Sequence, residues 1–280
     1  MSDIPLPLPL EDSWSDVLGK AVRGTGIDEK NLAPSANIIP SQLKTIMGGE
    51  RPSEDTLRRL AIAVGLNPGP FLDLAYGRYK PKAFEASRWP GVAQIPTRYL
   101  DMVVNSYLVW DTKTREAALF DTGTDMAPIR HAVEKNNLKL TTLCITHTHA
   151  DHVAVLDDVM AMYKPKLYAP KGEPVPNATL IEEGAEIRIG PLRTTTLLTD
   201  GHSPGHITYV VSGQEGWPAP VGLVGDAIFA GSMGGGAVSY PRLRKNVQGK
   251  ILVLPAATLL CPGHGPTTTV EEELQHNPFA

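Results

Sequence analysis

Only two cysteines, Cys144 and Cys261, occur in 280 residues, and they lie far apart. That leaves no disulfide framework to staple a small fold and favours a reducing compartment. No apolar run approaches the ~18 residues a membrane span needs. The N-terminus, MSDIPLPLPLEDSW, lacks a basic region, and its prolines interrupt any apolar helix. A signal peptide is therefore not expected there, and a cytoplasmic protein without a membrane partner is the expectation. Neither sign of charge dominates: the net charge is -4 and the pI about 6.1. This removes any global electrostatic reason to expect nucleic acid or an anionic membrane as partner. There is no internal repeat, and biased composition is confined to the first ten residues and Gly234–Gly236.

Apolar residues make up 42% and charged residues 20%, which suits a packed core. The length fits one large or two ordinary domains. The first quarter is helical in pattern. In PSEDTLRRLAIAVG, Ser53 is a natural N-cap, and Glu54 and Asp55 suit the first turn of a helix dipole. Leu57, Leu60, Ala61 and Val64 then repeat at i, i+3, i+4 and i+7, and Gly65 and Pro68 close the helix. Trp14, Val17, Leu18 and Val22 mark another helix, SQLKTIM a short one, and residues 70–76 a last one.

Residues 79–98, rich in proline and without periodicity, read as a linker, so the expected division is 1–85 and 86–280. Beyond it, MVVNSYLVW, EAALFD, TTLCITH, LRTTTLLTD, ITYVVSG, VGLVGD and TLLCPGH read as strands. Residues 151–163 read as a helix, and 239–254 contain another. Cys144 and Cys261 fall inside apolar strands and read as small core residues.

Three of the chain's eight histidines crowd into THTHADH, residues 146–152, directly after the apolar Leu143-Cys144-Ile145. His147 and His149 lie two apart, so an extended segment points both the same way. Asp151 and His152 follow where the chain turns into a helix. Imidazoles with a carboxylate are the ligand set of catalytic zinc. His202, Asp226 and His264 each follow another strand and lie next to a glycine that lets the backbone turn sharply. Together His147, His149, Asp151, His152, His202, Asp226 and His264 make seven ligands, enough for two zinc ions sharing a bridging carboxylate and a bridging hydroxide. Asp151 and Asp226 are the candidate catalytic carboxylates. Iron and manganese accept the same donors.

HTHADH at 147–152 matches the HxHxDH signature of the metallo-β-lactamase-fold hydrolases, which this chain resembles from Trp89 onward. GHSPGH at 201–206, GDAIFAGS at 225–232 and PGHGP at 262–266 match the later motifs in order, and Asp121-Thr122-Gly123 matches the early DTG turn. The resemblance implies an αββα sandwich with metals at one edge, hence an α+β chain with a small all-α domain in front. It implies that His147, His149 and His202 hold one metal, Asp151, His152 and His264 the other, and that Asp226 bridges, with the bridging hydroxide as nucleophile. His206 falls outside the ligand pattern and could orient a neighbour as a hydrogen-bond donor.

Within that superfamily the text is most similar to glyoxalase II-like hydroxyacylglutathione hydrolases, through NSYLVWD, GDAIFAGSMG, CPGHGPTTTVEEE and HNPF. The resemblance implies a small-molecule thioester substrate. Two departures stand out: the sequence ends soon after PGHGP, where glyoxalase II has a helical extension, and glycines 234–236 stand where the family often has an arginine. Arg242, Arg244, Lys245 and Lys250 could replace that charge, and Tyr107 or Tyr240 could reach a substrate oxygen. The alternatives are a lactonase or other esterase of this fold, or an iron persulfide dioxygenase.

The N-terminal helices resemble a Cro/repressor-type helix-turn-helix domain, carried by Leu32-Ala33, the turn near 37–40 and a recognition helix over 41–47. That resemblance makes a DNA-binding regulator the non-enzyme alternative. However, residues 1–85 carry 10 Lys/Arg against 11 Asp/Glu, a weak footprint for DNA. The other expectations are packing on the hydrolase, covering its mouth, or forming a homodimer.

Overall fold

A computed structural model of the chain describes residues 4–280. Five helices come first: α1 (Trp14–Thr25), α2 (Glu29–Ser35), α3 (Pro40–Met47), α4 (Glu54–Ala63) and α5 (Pro68–Ala75). Each begins where the sequence supplies a start signal. Ser13 and Ser53 cap α1 and α4 through their side chains, Asp28 caps α2, and Asn67 caps α5. Leu57, Leu60 and Ala61 form the buried stripe of α4, as the periodicity predicts.

A first sheet follows: β1 (Val92–Tyr99), β2 (Met102–Trp110), β3 (Glu116–Phe120), β4 (Lys139–Cys144), β5 (Lys166–Pro170) and β6 (Thr179–Ile181), paired in that order. Helix α6 (Met126–Lys135) joins β3 to β4, while α7 (Ala150–Val153) and α8 (Leu156–Tyr163) join β4 to β5. The second sheet holds β7 (Glu186–Ile189), β8 (Leu192–Leu198), β9 (Ile207–Ser212), β10 (Val221–Gly225), β13 (Leu259–Pro262) and β14 (Thr268–Thr269). Its spatial order is β14-β13-β10-β9-β8-β7. Between β10 and β13 lie a small hairpin, β11 (Ile228–Phe229) and β12 (Ser232–Met233), helix α9 (Tyr240–Asn246) and a π-helical turn, Val247–Ile251. Helix α10 (Val270–His276) closes the described chain.

Alternation along the strands builds three apolar layers. Tyr107, Val109, Ala118 and Phe120 face the second sheet and meet Tyr209, Val211, Leu223 and Cys261. Their neighbours Leu108, Ala117 and Leu119 face outward and pack with Ile129 and Val133 of α6 and Val159 of α8. On the far side of the second sheet, Val224, Leu260, Leu243 and Val270 share one core with Val17, Leu18, Leu32, Leu57, Leu60 and Phe71 of the N-terminal helices. The order helix, sheet, sheet, helix is the expected αββα sandwich, with the helical region docked on one outer layer.

Two expectations need correction. The second half of the supposed linker is strand β1, which pairs antiparallel with β2 along its whole length. Pro96 hid it, yet β1 is an edge strand, where proline is tolerated because one side of the backbone has no partner. The helix expected over 151–163 is two helices with a break at Ala154–Val155.

Candidate metal centre

All seven candidate ligands meet at one edge of the sandwich, where the segments after β4, β8, β10 and β13 converge. His147 and His149 lie in the extended stretch after β4, and Asp151 and His152 in the single turn of α7. The first donor group comprises His147, His149, His202 and Asp226; a second comprises Asp151, His152 and His264. In the first, His149 Nδ1 lies 3.1 Å from His147 Nε2 and 3.0 Å from His202 Nε2. Asp226 Oδ2 lies 3.4 Å from His202 Nε2 and 3.8 Å from His147 Nε2. In the second, Asp151 Oδ2 stands 3.3 Å from His264 Nε2 and 3.7 Å from His152 Nε2. Asp226 reaches this group too: Oδ1 is 3.4 Å from His152 Nε2 and Oδ2 is 3.5 Å from His264 Nε2.

These spacings fit metal ligation. Four donors placed tetrahedrally at ~2.0–2.1 Å from an ion lie about 3.3 Å from one another. The outer nitrogens explain which lone pairs face inward. His152 Nδ1–H donates to Asp121 Oδ2 at 2.8 Å, His264 Nδ1–H to Val103 O at 2.8 Å, and His202 Nδ1–H to Gly235 O at 2.9 Å. Thr146 Oγ1 gives its own proton to Asp121 Oδ2, so it accepts from His147 Nδ1–H at 3.0 Å. Each of these four rings thus turns an Nε2 lone pair toward the centre, while His149 turns its Nδ1 there. His152 Nε2 and Asp226 Oδ1 are fully buried and find no hydrogen-bond partner among the described residues. Buried polar atoms of this kind are costly unless a ligand satisfies them.

The local field attracts positive charge. Burial is the largest single influence on His264 and His152 and works against their charged forms, but Asp226 and a second carboxylate together override it at each. With Asp151 added, His264 is pushed up to about 11; with Asp121 added, His152 is pushed up to about 10. Burial opposes ionisation of Asp226, but His264 and His152 hold its carboxyl well below the usual range. His147 and His202, less favoured by carboxylates, are lowered by burial.

Three further residues support the donors, and of these Glu173 carries no signal in the sequence. Asp121, at φ 55° in the turn after β3, accepts Thr146 N–H at 2.8 Å besides the bonds above. Buried Glu173 joins the two ligand-bearing loops: it accepts Thr148 N–H, Thr148 Oγ1–H and Gly205 N–H, each at 2.8 Å, and Ser203 Oγ–H. His206 was expected to donate; instead its Nε2 accepts the Asp226 N–H at 3.0 Å, while Nδ1 bonds Thr199 Oγ1 at 2.9 Å. Burial pushes this ring down to about 3, which suits an acceptor. Gly263 permits the crowding, since a Cβ there would collide with Asp226 Oδ1 and the His152 ring.

Other candidates are occupied elsewhere. Arg242 pairs with Asp200, Arg244 donates to Phe279 O, and Lys250 pairs with Glu183. Tyr107 is buried and donates to Pro262 O, while Tyr240 is buried against Phe279. Both cysteines are buried, with thiols pushed up by burial.

Residues 100–264 match the family model described as the metallo-beta-lactamase superfamily. A probable metallo-hydrolase, YqgX, of Bacillus subtilis is 30% identical over 190 residues, covering 59% of this chain and 87% of that protein. A hydroxyacylglutathione hydrolase of Alkalilimnicola ehrlichii is 33% identical over 161 residues, covering 56% of this chain but only 60% of that enzyme's length. Hydroxyacylglutathione hydrolase GloC of Haemophilus influenzae is 26% identical over 202 residues, covering 62% of this chain and 92% of that one. Among solved structures, a metallo-beta-lactamase from Staphylococcus aureus subsp. aureus COL superposes with a TM-score of 0.59 at 26% identity, covering 66% of this chain and 61% of that one.

Proposed function

The chain belongs to the metallo-β-lactamase superfamily and is a metal-dependent hydrolase, and we propose that it cleaves small-molecule thioesters with a pair of metal ions. The observation that carries this reading is Asp226, whose carboxylate lies within 3.4–3.8 Å of His147 and His202 in the first donor group and of His152 and His264 in the second. His147, His149 and His202 would hold one ion, Asp151, His152 and His264 the second, and Asp226 both; zinc, iron and manganese all suit this set. Such a pair, when bound, supplies a nucleophilic water at neutral pH and polarises the acyl oxygen.

The chain's own residues provide alignment. Asp121, Thr146, Gly235 O and Val103 O fix four of the five imidazoles, those of His152, His147, His202 and His264, through their outer nitrogens, so little reorganisation is needed during reaction. A thiolate leaves readily, so the reaction asks chiefly for a positioned nucleophile and stabilisation of the developing oxyanion. The hydroxyacylglutathione hydrolases among the relatives support thioester chemistry; GloC does so over 92% of its own length.

The test is hydrolysis of S-lactoylglutathione and of the neutral thioester S-acetyl-N-acetylcysteamine by zinc-loaded protein, with His202→Ala as control. Turnover of either substrate that vanishes in the variant is expected. Turnover of a lactone with neither thioester cleaved would overturn the reading.

A further inference from the structure

The N-terminal segment lies outside the matched residues 100–264, yet it reaches Gly265, the residue after the candidate ligand His264. Leu8 is buried and anchors the chain ahead of α1. At Gly265, next to the ligand His264, the strap passes so close that a Cβ would meet Glu11 N at 3.2 Å, Glu11 Cβ at 3.5 Å and Pro9 O at 3.5 Å. A clasp holds this strap in place. Asp12 Oδ2 accepts Lys20 Nζ and Ser232 Oγ, each at 2.5 Å, and Lys20 also donates to Met233 O at 2.9 Å. Asp12 and Lys20 are both largely buried, and Lys20 lies over the Phe229 ring at 5.0 Å. The clasp therefore ties α1 to the loop that supplies Asp226 and Gly235 O.

Asp12 is neutralised by Lys20; Glu11 beside it is half-buried and makes no side-chain hydrogen bond or ion pair among the described residues. Its charge acts on His264, and burial raises its pKa while His264 draws it back. We infer that Glu11 is a specificity-determining residue, setting a carboxylate at the His264 side of the metal centre so that the site favours neutral or cationic thiol groups over anionic ones. This rests on the thioester reading and narrows it. Of the four cations expected to grip an anionic thiol carrier, Arg242, Arg244 and Lys250 are engaged elsewhere, and Lys245 is exposed on α9. A unit charge several ångströms from a bound charge near a protein surface changes affinity by about tenfold.

The experiment uses full-length protein loaded with cobalt(II) at pH 8. Thiocholine and 3-mercaptopropionate, small thiols of opposite charge, are titrated against the cobalt absorption, and their dissociation constants are compared. Wild type should bind thiocholine more tightly than 3-mercaptopropionate, in part because its thiol is the more acidic, and Glu11→Gln should cut that preference about tenfold while keeping its cobalt spectrum. Glu29→Gln, the same charge change at an exposed position on α2, should leave the ratio as in wild type. An equal ratio in wild type and Glu11→Gln, or no preference in wild type, overturns the inference. Failure to hydrolyse any thioester would overturn the proposed function while leaving the thiol ratio readable, and failure to bind cobalt would overturn both.

Discussion

Glu173→Gln tests whether the two ligand loops are held in register by one carboxylate. Thr148 sits between His147 and His149, and Ser203 follows His202, so Glu173 sets the separation of His149 and His202. Each carboxylate oxygen accepts one backbone N–H and one hydroxyl: Oε2 from Thr148, Oε1 from Gly205 and Ser203. A glutamine keeps one accepting oxygen and turns an NH2 toward the other pair. The hydroxyl there can rotate to accept, but the backbone N–H cannot. One charge-assisted bond is lost and one buried donor is stranded, a cost of about 2–4 kcal/mol. Urea unfolding at pH 7 should show that loss. The four hydrogen bonds hold the Glu173 carboxyl below its usual range against the effect of burial. A depressed folded-state pKa gives stability present above the unfolded value of ~4.3 and lost as pH falls through the folded one. The difference between wild type and variant should therefore shrink as pH falls below about 4.3. Competition with a chromophoric chelator should show one ion of the pair weakened by about 10–100-fold, as for other residues that orient metal ligands. Unchanged stability together with unchanged affinity for both ions would refute the reasoning.

Asp121→Asn removes the charge that anchors His152 and Thr146, and should weaken metal binding by about 10–100-fold in the same competition assay. Gly263→Ala drives a methyl into Asp226 Oδ1 and should abolish metal binding while far-ultraviolet circular dichroism stays as in wild type. Exhaustive dialysis against a chelator should remove hydrolase activity, and zinc, iron or manganese should restore it. Burial raises Glu273 to about 7, despite its bonds from Thr268, Asn277 and Gly231. The folded chain then holds a proton that the unfolded chain has lost between pH ~4.3 and about 7. Stability from this group falls as pH rises through that window, and Glu273→Gln should flatten that part of the stability profile measured by urea unfolding.

What could be read from sequence divides along physical lines. The stripe of α4 was legible because Leu57, Leu60 and Ala61 repeat with the helix period, and the candidate donor cluster because His147, His149, Asp151 and His152 lie within one short stretch. Strand β1 was missed because Pro96 argues against a strand until one knows that it lies at an edge. The residues that aim the ligands were harder still. Asp121 meets His152 from 31 positions away, and Glu173 meets Thr148 from 25 and Ser203 from 30. The DTG match marks Asp121 but not its partner, and no local pattern marks Glu173, because these roles exist only once β3, β4, β5 and β8 have brought their ends together. His206 shows the limit most sharply. Its neighbour Gly205 could be read as a turn, but the direction of its hydrogen bond could not. A backbone N–H can only donate, so once the bulge after Leu223 turns the Asp226 amide toward Nε2, the ring must accept and carry its own proton on Nδ1. The fold, rather than the residue type, decides whether a histidine beside a metal centre gives a hydrogen bond or receives one.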